Sequence, residues 1–369
     1  MSTMVDPIAL AVPGFFALIG VETWVARRRG VRVYRLADSL TDLSCGVSSQ
    51  IEAMFFAAVQ LGIYAALYAR FHAFELHGWK AWAVAFVGVD FLYYWWHRLS
   101  HEVNLLWAAH VVHHQSEDYN LAVALRQSIT TGWSSLPFYL PLALLGVPTL
   151  VFAVTHALST LYQFWIHTQL VGKIRGPIDW ILNLPSHHRV HHAINPQYLD
   201  KNYAATLIVW DRLFGTYVEE EEPCVYGITK PLASFNPLWA QVHYFVDLAK
   251  RTARLPGLSR LWVWLASPAW VGPGETKFDP DVRARPKYDV APSRRTRRYV
   301  FVQYTLLLAA TSALMFVHGR LRPVALAAAC TALAGGLLAL GGLLEGKRWA
   351  RPLEVARLAG TVAAVALVV

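Results

Sequence analysis

The stretch HRLSHEVNLLWAAHVVHH, from His97 to His114, holds five histidines in eighteen residues and decides how the rest of the chain is interpreted. The histidines are spaced HxxxH and then HxxHH, and a second HxxHH begins at His188 in the run SHHRVHH of residues 186–192. Residues i and i+3 or i+4 share one face of a helix, so each motif directs two imidazoles toward a common point. The three motifs predict a metal site assembled from separate parts of the chain.

The number of clustered histidines bears on the kind of metal site. Histidines satisfied by hydrogen bonds in a protein core would explain one such cluster but hardly three. At least eight clustered histidines with no cysteine nearby favour two metal ions over a single four-ligand zinc site. Imidazole suits iron, zinc, copper and nickel, and the spacing does not choose among them. A redox-active pair would indicate oxygen activation against a C–H bond, whereas zinc would indicate hydrolysis.

The composition predicts an integral membrane protein. Of the 369 residues, 55% are hydrophobic and only 15% are charged, and the mean hydropathy is +0.34. The net charge of +9 comes from short basic clusters that flank apolar runs, as orientation signals do, so no nucleic-acid partner is expected. Cys45, Cys224 and Cys330 are too far apart in sequence to indicate a zinc knuckle or a disulfide framework.

The apolar runs predict the membrane topology. Single spans are expected at residues 7–25, 43–68, 79–96, 299–317, 323–344 and 353–369. Residues 132–167 form a hairpin broken at Gly146, Val147 and Pro148, and their length, short for two crossings of about 17 to 25 residues each, favours a re-entrant hairpin. Arginines 27 to 29 follow the first span, so the positive-inside rule places the N-terminus outside and the histidine motifs at the cytoplasmic face.

These spans predict an all-α, polytopic helical bundle with a cytoplasmic helical cap that holds a histidine-rich di-metal site. Four segments are expected: N-terminal transmembrane helices at 1–78, a catalytic domain at 79–235, a cytoplasmic linker or cap at 236–298, and C-terminal transmembrane helices at 299–369. Asp90 lies inside the third span and should face the bundle interior, because a carboxylate in lipid is costly. A hydrogen bond between helices and a role in the active site are equal alternatives for it.

The histidine motifs also carry a family resemblance. The runs WWHRLSHEVNLLWAAHVVHHQSEDYNLAVALRQS at 95–128, WIHTQL at 165–170 and NLPSHHRVHHAINPQYLDKNY at 183–203 resemble the fatty acid hydroxylase and sterol desaturase superfamily. Members of that superfamily are integral-membrane di-iron oxygenases. Within it, the runs look most like the enzymes that cleave alkylglycerol ether lipids with a tetrahydropterin. The resemblance covers roughly residues 80–235.

The resemblance implies that nine histidines bind two iron ions: His97, His101, His110, His113, His114, His167, His188, His191 and His192. Many members have an HxxxH motif that ends at the position of His167, and here Gln163 stands where its first histidine would be. One ligand of that pattern is therefore missing. His187 is an additional histidine, which is expected to hydrogen-bond a ligand rather than to bind metal.

Polar residues near the motifs complete the implied site. Glu102 directly follows His101 and is expected near the metal or the reductant as a catalytic and cofactor-binding residue, with a solvated carboxylate as the alternative. Asn120 and Arg126 are further cofactor-binding candidates. Three residues after the third motif are expected only to cap turns and helices: Asp200, Asn202 and Asp211.

The residues and the resemblance together predict a membrane-bound di-iron monooxygenase that hydroxylates a lipid C–H bond with O₂, at the ether-linked carbon of an alkylglycerol-type substrate. The lipid would enter from the bilayer, and electrons would come from an external donor, either a tetrahydropterin or a ferredoxin or cytochrome. A sterol, fatty acyl or carotenoid hydroxylase or desaturase is the alternative within the superfamily. Outside it stand a metal transporter, which should place its ligands near the membrane midplane, and a zinc hydrolase. The oligomeric state is left open.

Overall fold

The computed structural model describes residues 7–276, 282 and 285–368, and the regular structure in them is helical, with no strand. The α-helices are α1 (Pro7–Arg28), α2 (Leu36–Phe71), α3 (Gly78–Glu102), α4 (Asn104–His114), α5 (Leu121–Ala124), α6 (Thr131–Leu145), α7 (Thr149–Trp165), α8 (Pro177–Ile181), α9 (Pro185–His191), α10 (Val209–Leu213), α11 (Pro237–Arg254), α12 (Ser259–Leu265), α13 (Arg294–Val317), α14 (Pro323–Leu344) and α15 (Ala350–Val368). The predicted all-α class is confirmed. The predicted segments 1–78, 236–298 and 299–369 each extend partly outside the described residues, and their boundaries stay a prediction.

Four of the described helices are long and apolar enough to cross a membrane: α1, α2, α13 and α14. They coincide with the predicted spans at 7–25, 43–68, 299–317 and 323–344, and they indicate an integral membrane protein. The predicted spans at 79–96 and 353–369 form α3 and α15, but neither helix is among the four. Charged residues reduce the apolar character of both: Lys80 and Asp90 in α3, and Arg351, Glu354 and Arg357 in α15.

The predicted hairpin consists of α6 and α7, which have 15 and 17 residues. At about 1.5 Å per residue they are roughly 22 and 26 Å long, whereas the hydrocarbon core of a bilayer is about 30 Å thick. The break falls where the sequence indicated: Gly146 ends α6 in the left-handed conformation, with φ of 96°, and Pro148 precedes α7. The length agrees with a re-entrant hairpin.

The tip of the hairpin reaches the loop between α2 and α3. The amide of Ala73 in that loop donates a hydrogen bond to the carbonyl of Leu144 at 2.7 Å. A Cβ atom at Gly146 would lie 1.8 Å from the carbonyl oxygen of Phe74, so this turn requires glycine. At the other end of the hairpin, the Trp96 indole donates to the Ser134 hydroxyl at 3.3 Å. The open end of the hairpin therefore lies beside the part of α3 that carries the first histidine motif.

Two apolar clusters hold the bundle together. In the first, residues from α2, α3, α6 and α7 pack together, and the rings of Tyr64 and Phe152 stack 4.2 Å apart. In the second, α13 and α14 pack against the first half of α2 through Tyr304, Leu307 and Leu337. Both α3, which carries the first histidine motif, and α7, which precedes His167, are thus held by apolar packing that does not involve the nine histidines.

Candidate metal centre

The nine predicted histidines form two adjoining groups. Group A consists of His97, His101, His110, His114 and His191, and group B of His113, His167, His188 and His192. Within each group, every residue offers a nitrogen within 4.8 Å of the others, and every residue is buried. No cysteine or carboxylate joins either group in the part of the chain that the structure describes. The structure therefore brings together all nine residues that the sequence predicted as ligands.

Helix geometry decides which histidines share a group. In each motif, the two histidines four residues apart belong to the same group: His97 with His101, His110 with His114, and His188 with His192. The remaining histidine of each HxxHH motif, His113 or His191, belongs to the other group. Both α4 and α9 therefore contribute to both groups, so the groups are adjoining parts of one centre.

Distances between ring nitrogens fit two metal ions. In group A, the Nε2 of His110 lies 2.9 Å from that of His97 and 3.1 Å from that of His114. In group B, the Nε2 of His167 lies 3.2 Å from that of His113 and 3.0 Å from that of His188. Metal–imidazole bonds of about 2.1 Å at right angles separate neighbouring nitrogens by about 3 Å. Three further Nε2 atoms are buried with no hydrogen-bond partner: those of His101, His191 and His192.

Backbone carbonyl groups fix the orientation of four of the rings. The Nδ1 atoms donate to carbonyl oxygens in four pairs: His97 to Tyr203 at 2.6 Å, His113 to Arg126 at 3.0 Å, His167 to Gln163 at 2.7 Å, and His191 to Lys201 at 3.0 Å. A carbonyl oxygen can only accept, so each of these Nδ1 atoms carries a proton. In a neutral imidazole the opposite nitrogen, Nε2, then has a free lone pair, as a metal ligand requires.

Because Nδ1 carries the proton in both rings, the contact between His113 and His167 indicates whether group B fits a metal ion. Both rings donate from Nδ1, so both Nε2 atoms present lone pairs, and these atoms lie 3.2 Å apart. Two acceptors at this distance repel each other in a buried site unless a cation lies between them. The donor set of group B therefore fits a bound metal ion better than it fits a hydrogen-bonded core.

Eight of the nine histidines are held in the neutral form that binds metal. Burial, with repulsion between neighbouring imidazoles, lowers the pKa of His113 to about 4. The same causes lower the pKa of other ligand candidates well below the usual value: His97, His110, His114, His167, His188, His191 and His192. These rings are therefore uncharged at neutral pH, and each keeps one nitrogen lone pair available to a metal.

Two aspartates hold the loop that orients group A. Asp211 accepts hydrogen bonds from the amides of Tyr203 at 2.8 Å and Ala204 at 2.9 Å, and burial raises its pKa to about 6. Asp90 of α3 accepts from the amide of Thr206 at 2.8 Å and from the Trp210 indole at 2.9 Å. Asp90 thus bonds to the segment after the third motif, including Trp210 of α10, rather than to a ligand. These contacts favour the predicted hydrogen bond between helices over a direct role in the active site.

The same loop places residues beside the centre that the sequence did not indicate as site residues. Tyr203 is fully buried, its ring centre lies 5.4 Å from that of His101, and its hydroxyl has no hydrogen-bond partner. Asp200 and Asn202 adopt left-handed conformations, with φ of 58° and 55°, which direct the loop carbonyls toward the histidines. Asp200 was predicted to cap a turn, but its carboxylate lies 3.7 Å from Nδ1 of His101. The run LDKNY at residues 199–203, which begins seven residues after His192, was the available signal.

The three predicted cofactor-binding residues lie at different distances from the groups. Glu102 joins neither group: its side chain is 40% exposed and accepts from Arg98 at 2.9 Å. Asn120 caps α5, accepting from the amide of Ala122 at 2.9 Å and donating to the carbonyl of Val33 at 2.7 Å. Arg126 is buried and contacts the centre through its backbone, because its carbonyl accepts from His113.

Arg126 also forms a buried ion pair beside group B. Its Nη1 donates to Asp42 of α2 at 3.0 Å, and its Nε donates to the carbonyl of Val112 at 2.6 Å. A third nitrogen donates to the Gln115 side chain. The guanidinium thereby joins α2 to the middle of the second histidine motif, at Val112, and to Gln115 just after it.

Gln163 and His187 do not supply further ligands. The Gln163 side chain donates to the carbonyl of Ser159 at 3.2 Å, and only its backbone carbonyl contacts a histidine, His167. His187 belongs to neither group, and its Nε2 lies 2.8 Å from the Asp179 carboxylate. Group B therefore has four histidines where group A has five.

Known proteins share the segment that carries this centre. Residues 82–216, which include all nine histidines, match the fatty acid hydroxylase family. The chain is 41% identical to human alkylglycerol monooxygenase over 317 residues, which cover 82% of this chain and 70% of the human protein. It is 40% identical to the enzyme of the same name from Danio rerio over 359 residues, or 94% and 79% of the two chains. The chain belongs to the fatty acid hydroxylase family.

One relative is named for a different lipid. An ornithine lipid hydroxylase from Rhizobium tropici is 31% identical to this chain over 171 residues, or 44% of this chain and 51% of that protein. No solved structure matches the chain. Membership confirms the predicted superfamily and enzyme class: the protein is an iron-dependent, lipid-modifying monooxygenase of the membrane that requires a reductant. The transporter and zinc hydrolase alternatives are not favoured.

Proposed function

We propose that this member of the fatty acid hydroxylase family is an alkylglycerol monooxygenase, which hydroxylates the ether-linked carbon of an alkylglycerol-type lipid with O₂. The observation that carries the proposal is the pair of adjoining all-histidine groups in a chain about 40% identical to enzymes of that name. In the proposal, group A and group B each bind one iron ion.

Iron bound there would supply the oxygen activation needed to attack an unactivated C–H bond. In the net reaction, one oxygen atom of O₂ enters the C–H bond and the other leaves as water, with two electrons and two protons from an external donor. The hydroxylated ether is a hemiacetal, which separates into an aldehyde and a glycerol. We propose a tetrahydropterin as the donor, with a ferredoxin or cytochrome as the alternative.

The chain contributes orientation and a dry environment. Carbonyl groups hold four imidazoles with Nε2 free, and the burial of all nine histidines excludes bulk water from the reacting atoms. The unpartnered Tyr203 hydroxyl beside group A is available to donate a hydrogen bond to the bound lipid or to oxygen. Asp90 and Asp211 keep that tyrosine and its loop in position.

Two of the three predicted cofactor-binding residues keep a role in the proposal. Glu102 lies at the edge of the centre, next to His101 and partly exposed, where it can contact the reductant or the polar head of the lipid. Arg126 lines a small polar pocket with Asp38, Gln115 and Glu117, and its carbonyl accepts from His113, so its proposed role is to position that ligand. The hydrogen bonds of Asn120 go to the backbone, so its role is to hold the chain around group B.

We also propose that the centre faces the cytoplasm. The arginines that follow α1 are the orientation signal, and the guanidinium of one of them, Arg29, donates to the carbonyl of Leu170 at 2.7 Å. Leu170 lies three residues after His167. The basic end of α1 and the histidine groups are therefore at the same end of the bundle.

The substrate and donor can be tested together with purified protein in lipid nanodiscs. An alkylglycerol labelled at the ether-linked carbon should give labelled aldehyde when O₂ and tetrahydropterin are supplied. The matched ester-linked acylglycerol should give none, and a ferredoxin system should not replace the pterin. Turnover of a sterol or fatty acid in place of the ether lipid would contradict the proposed substrate, and turnover with ferredoxin alone would contradict the proposed donor.

A further inference from the structure

The short helix α12 exposes an apolar face. Leu258, which precedes the helix, and Leu261, Trp262 and Leu265 within it are 82, 70, 53 and 59% exposed. Their spacing of i, i+3, i+4 and i+7 places all four side chains along one side of the helix. On a helix surrounded by water this side would be polar, so the face indicates an apolar partner.

The opposite side of α12 is already used. Val263 is fully buried in a cluster with Ala108 of α4 and with Leu248 and Leu255 from the α11 region. The carbonyl of Val263 also accepts from the Asn104 side chain at 2.9 Å. These contacts fix the rotation of the helix, so the exposed face cannot turn inward to join the core.

Both ends of the α11–α12 pair are attached to ends of bundle helices. Asn104, which begins α4 directly after α3 ends, donates from its amide to the carbonyl of Ala266 at 2.9 Å, just past α12. Just before α11, the Ser234 hydroxyl donates to Glu345 at 2.9 Å, and Glu345 ends α14, one of the candidate membrane helices. The pair therefore extends along the bundle at the level where membrane helices end.

The charges around this face are basic. Lys250, Arg254 and Arg260 are exposed, and none of them forms an ion pair with a described residue. The neighbouring Arg251 is paired with Glu275 at 2.7 Å and does not contribute a free charge. Exposed cations beside a leucine and tryptophan face are typical of helices that lie in the headgroup layer of a bilayer.

We propose that α12 lies in the interfacial layer of the membrane, with Leu258, Leu261, Trp262 and Leu265 inserted between anionic headgroups and with Lys250, Arg254 and Arg260 contacting the phosphates. The segment predicted as a cytoplasmic linker or cap is thereby in part a membrane-binding surface. Because α12 packs on α4, which carries three histidines of the centre, this contact holds the centre at the surface from which a lipid arrives.

Spin-label depth measurements on the full chain in vesicles test this surface. In a Cys224→Ser background, where Cys45 and Cys330 are buried, a nitroxide is attached at Leu261→Cys. The matched control is a nitroxide at Glu221→Cys, in the exposed acidic run of residues 219–222. The label at position 261 should collide several-fold more with O₂ and less with a water-soluble nickel chelate than the label at 221. If the first labelled protein loses lipid turnover, Leu265→Cys replaces it.

Three outcomes would overturn the proposal or part of it. Equal nickel accessibility at positions 261 and 221 would show that α12 faces water. Spin–spin broadening at 261 would show that a second copy of the chain covers the face instead. A double variant, Arg254→Gln with Arg260→Gln, should reduce the depth of the label in anionic vesicles but not in neutral ones, and an equal effect in both would refute the headgroup contact.

Discussion

Replacing His113 with alanine should remove about one iron ion per chain and lower lipid turnover by about a thousandfold or more, which corresponds to about 4 kcal/mol of transition-state stabilisation. The Nε2 of His113 lies 3.2 Å from that of His167, and both lone pairs are directed at the same point in group B. Without His113, three histidines remain in that group, and its iron should be lost. Iron content by mass spectrometry and turnover of labelled lipid measure the two effects.

Alanine substitutions at two other histidines provide the comparison for His113→Ala. His101→Ala, in group A, should also remove about one ion, and the double variant should remove both. His77→Ala is the control, because His77 is exposed and belongs to neither group. The assignment of His113 to a metal would be wrong if the His113→Ala protein kept the iron content and the turnover of the unmodified chain.

Replacing Arg126 with methionine should lower the free energy of unfolding by about 3–5 kcal/mol. The side chains of Arg126 and Asp42 are 2% and 0% exposed, so the variant leaves a buried carboxylate without its cation. It also leaves the carbonyl of Val112 and the Gln115 side chain without a donor. Thermal unfolding in detergent, followed by size-exclusion chromatography, measures the change.

A double variant separates the lost ion pair from lost packing. Arg126→Met combined with Asp42→Leu removes both charges and should recover a substantial part of the stability. Arg320→Met, at an exposed position, is the control and should change stability little. An Arg126→Met protein as stable as the original, or a double variant no more stable than the single one, would contradict this role of the buried pair.

Eight of the nine histidines could be found from the sequence because their HxxxH and HxxHH spacing is a local property of helices, whereas His167 was indicated by the family resemblance. The hairpin break was also predicted, since Gly146 and Pro148 act on the backbone where they stand. The division into groups of five and four was not predicted. Neighbouring histidines such as His113 and His114 point in different directions from a helix, but only the packing of α4 against α9 shows which ion each would bind.

Other features depend on contacts that sequence spacing does not encode. Asp90 bonds to an amide 116 residues away, and the carbonyl partner of His97 lies 106 residues away. The placement of Glu102 at the edge had a local signal, because Arg98 precedes it by four residues and such pairs form on helix surfaces. The missing ligand at Gln163 is not replaced by His187, which is bonded to Asp179.

The metal content of the purified chain, expressed with ample iron and isolated in nanodiscs, tests the central claim most directly. Two adjoining groups of five and four buried histidines predict about two iron ions per chain, with a Mössbauer or electron paramagnetic resonance spectrum of a coupled pair. A single ion, or redox-silent zinc in both groups of an enzyme that still turns over lipid, would contradict the account.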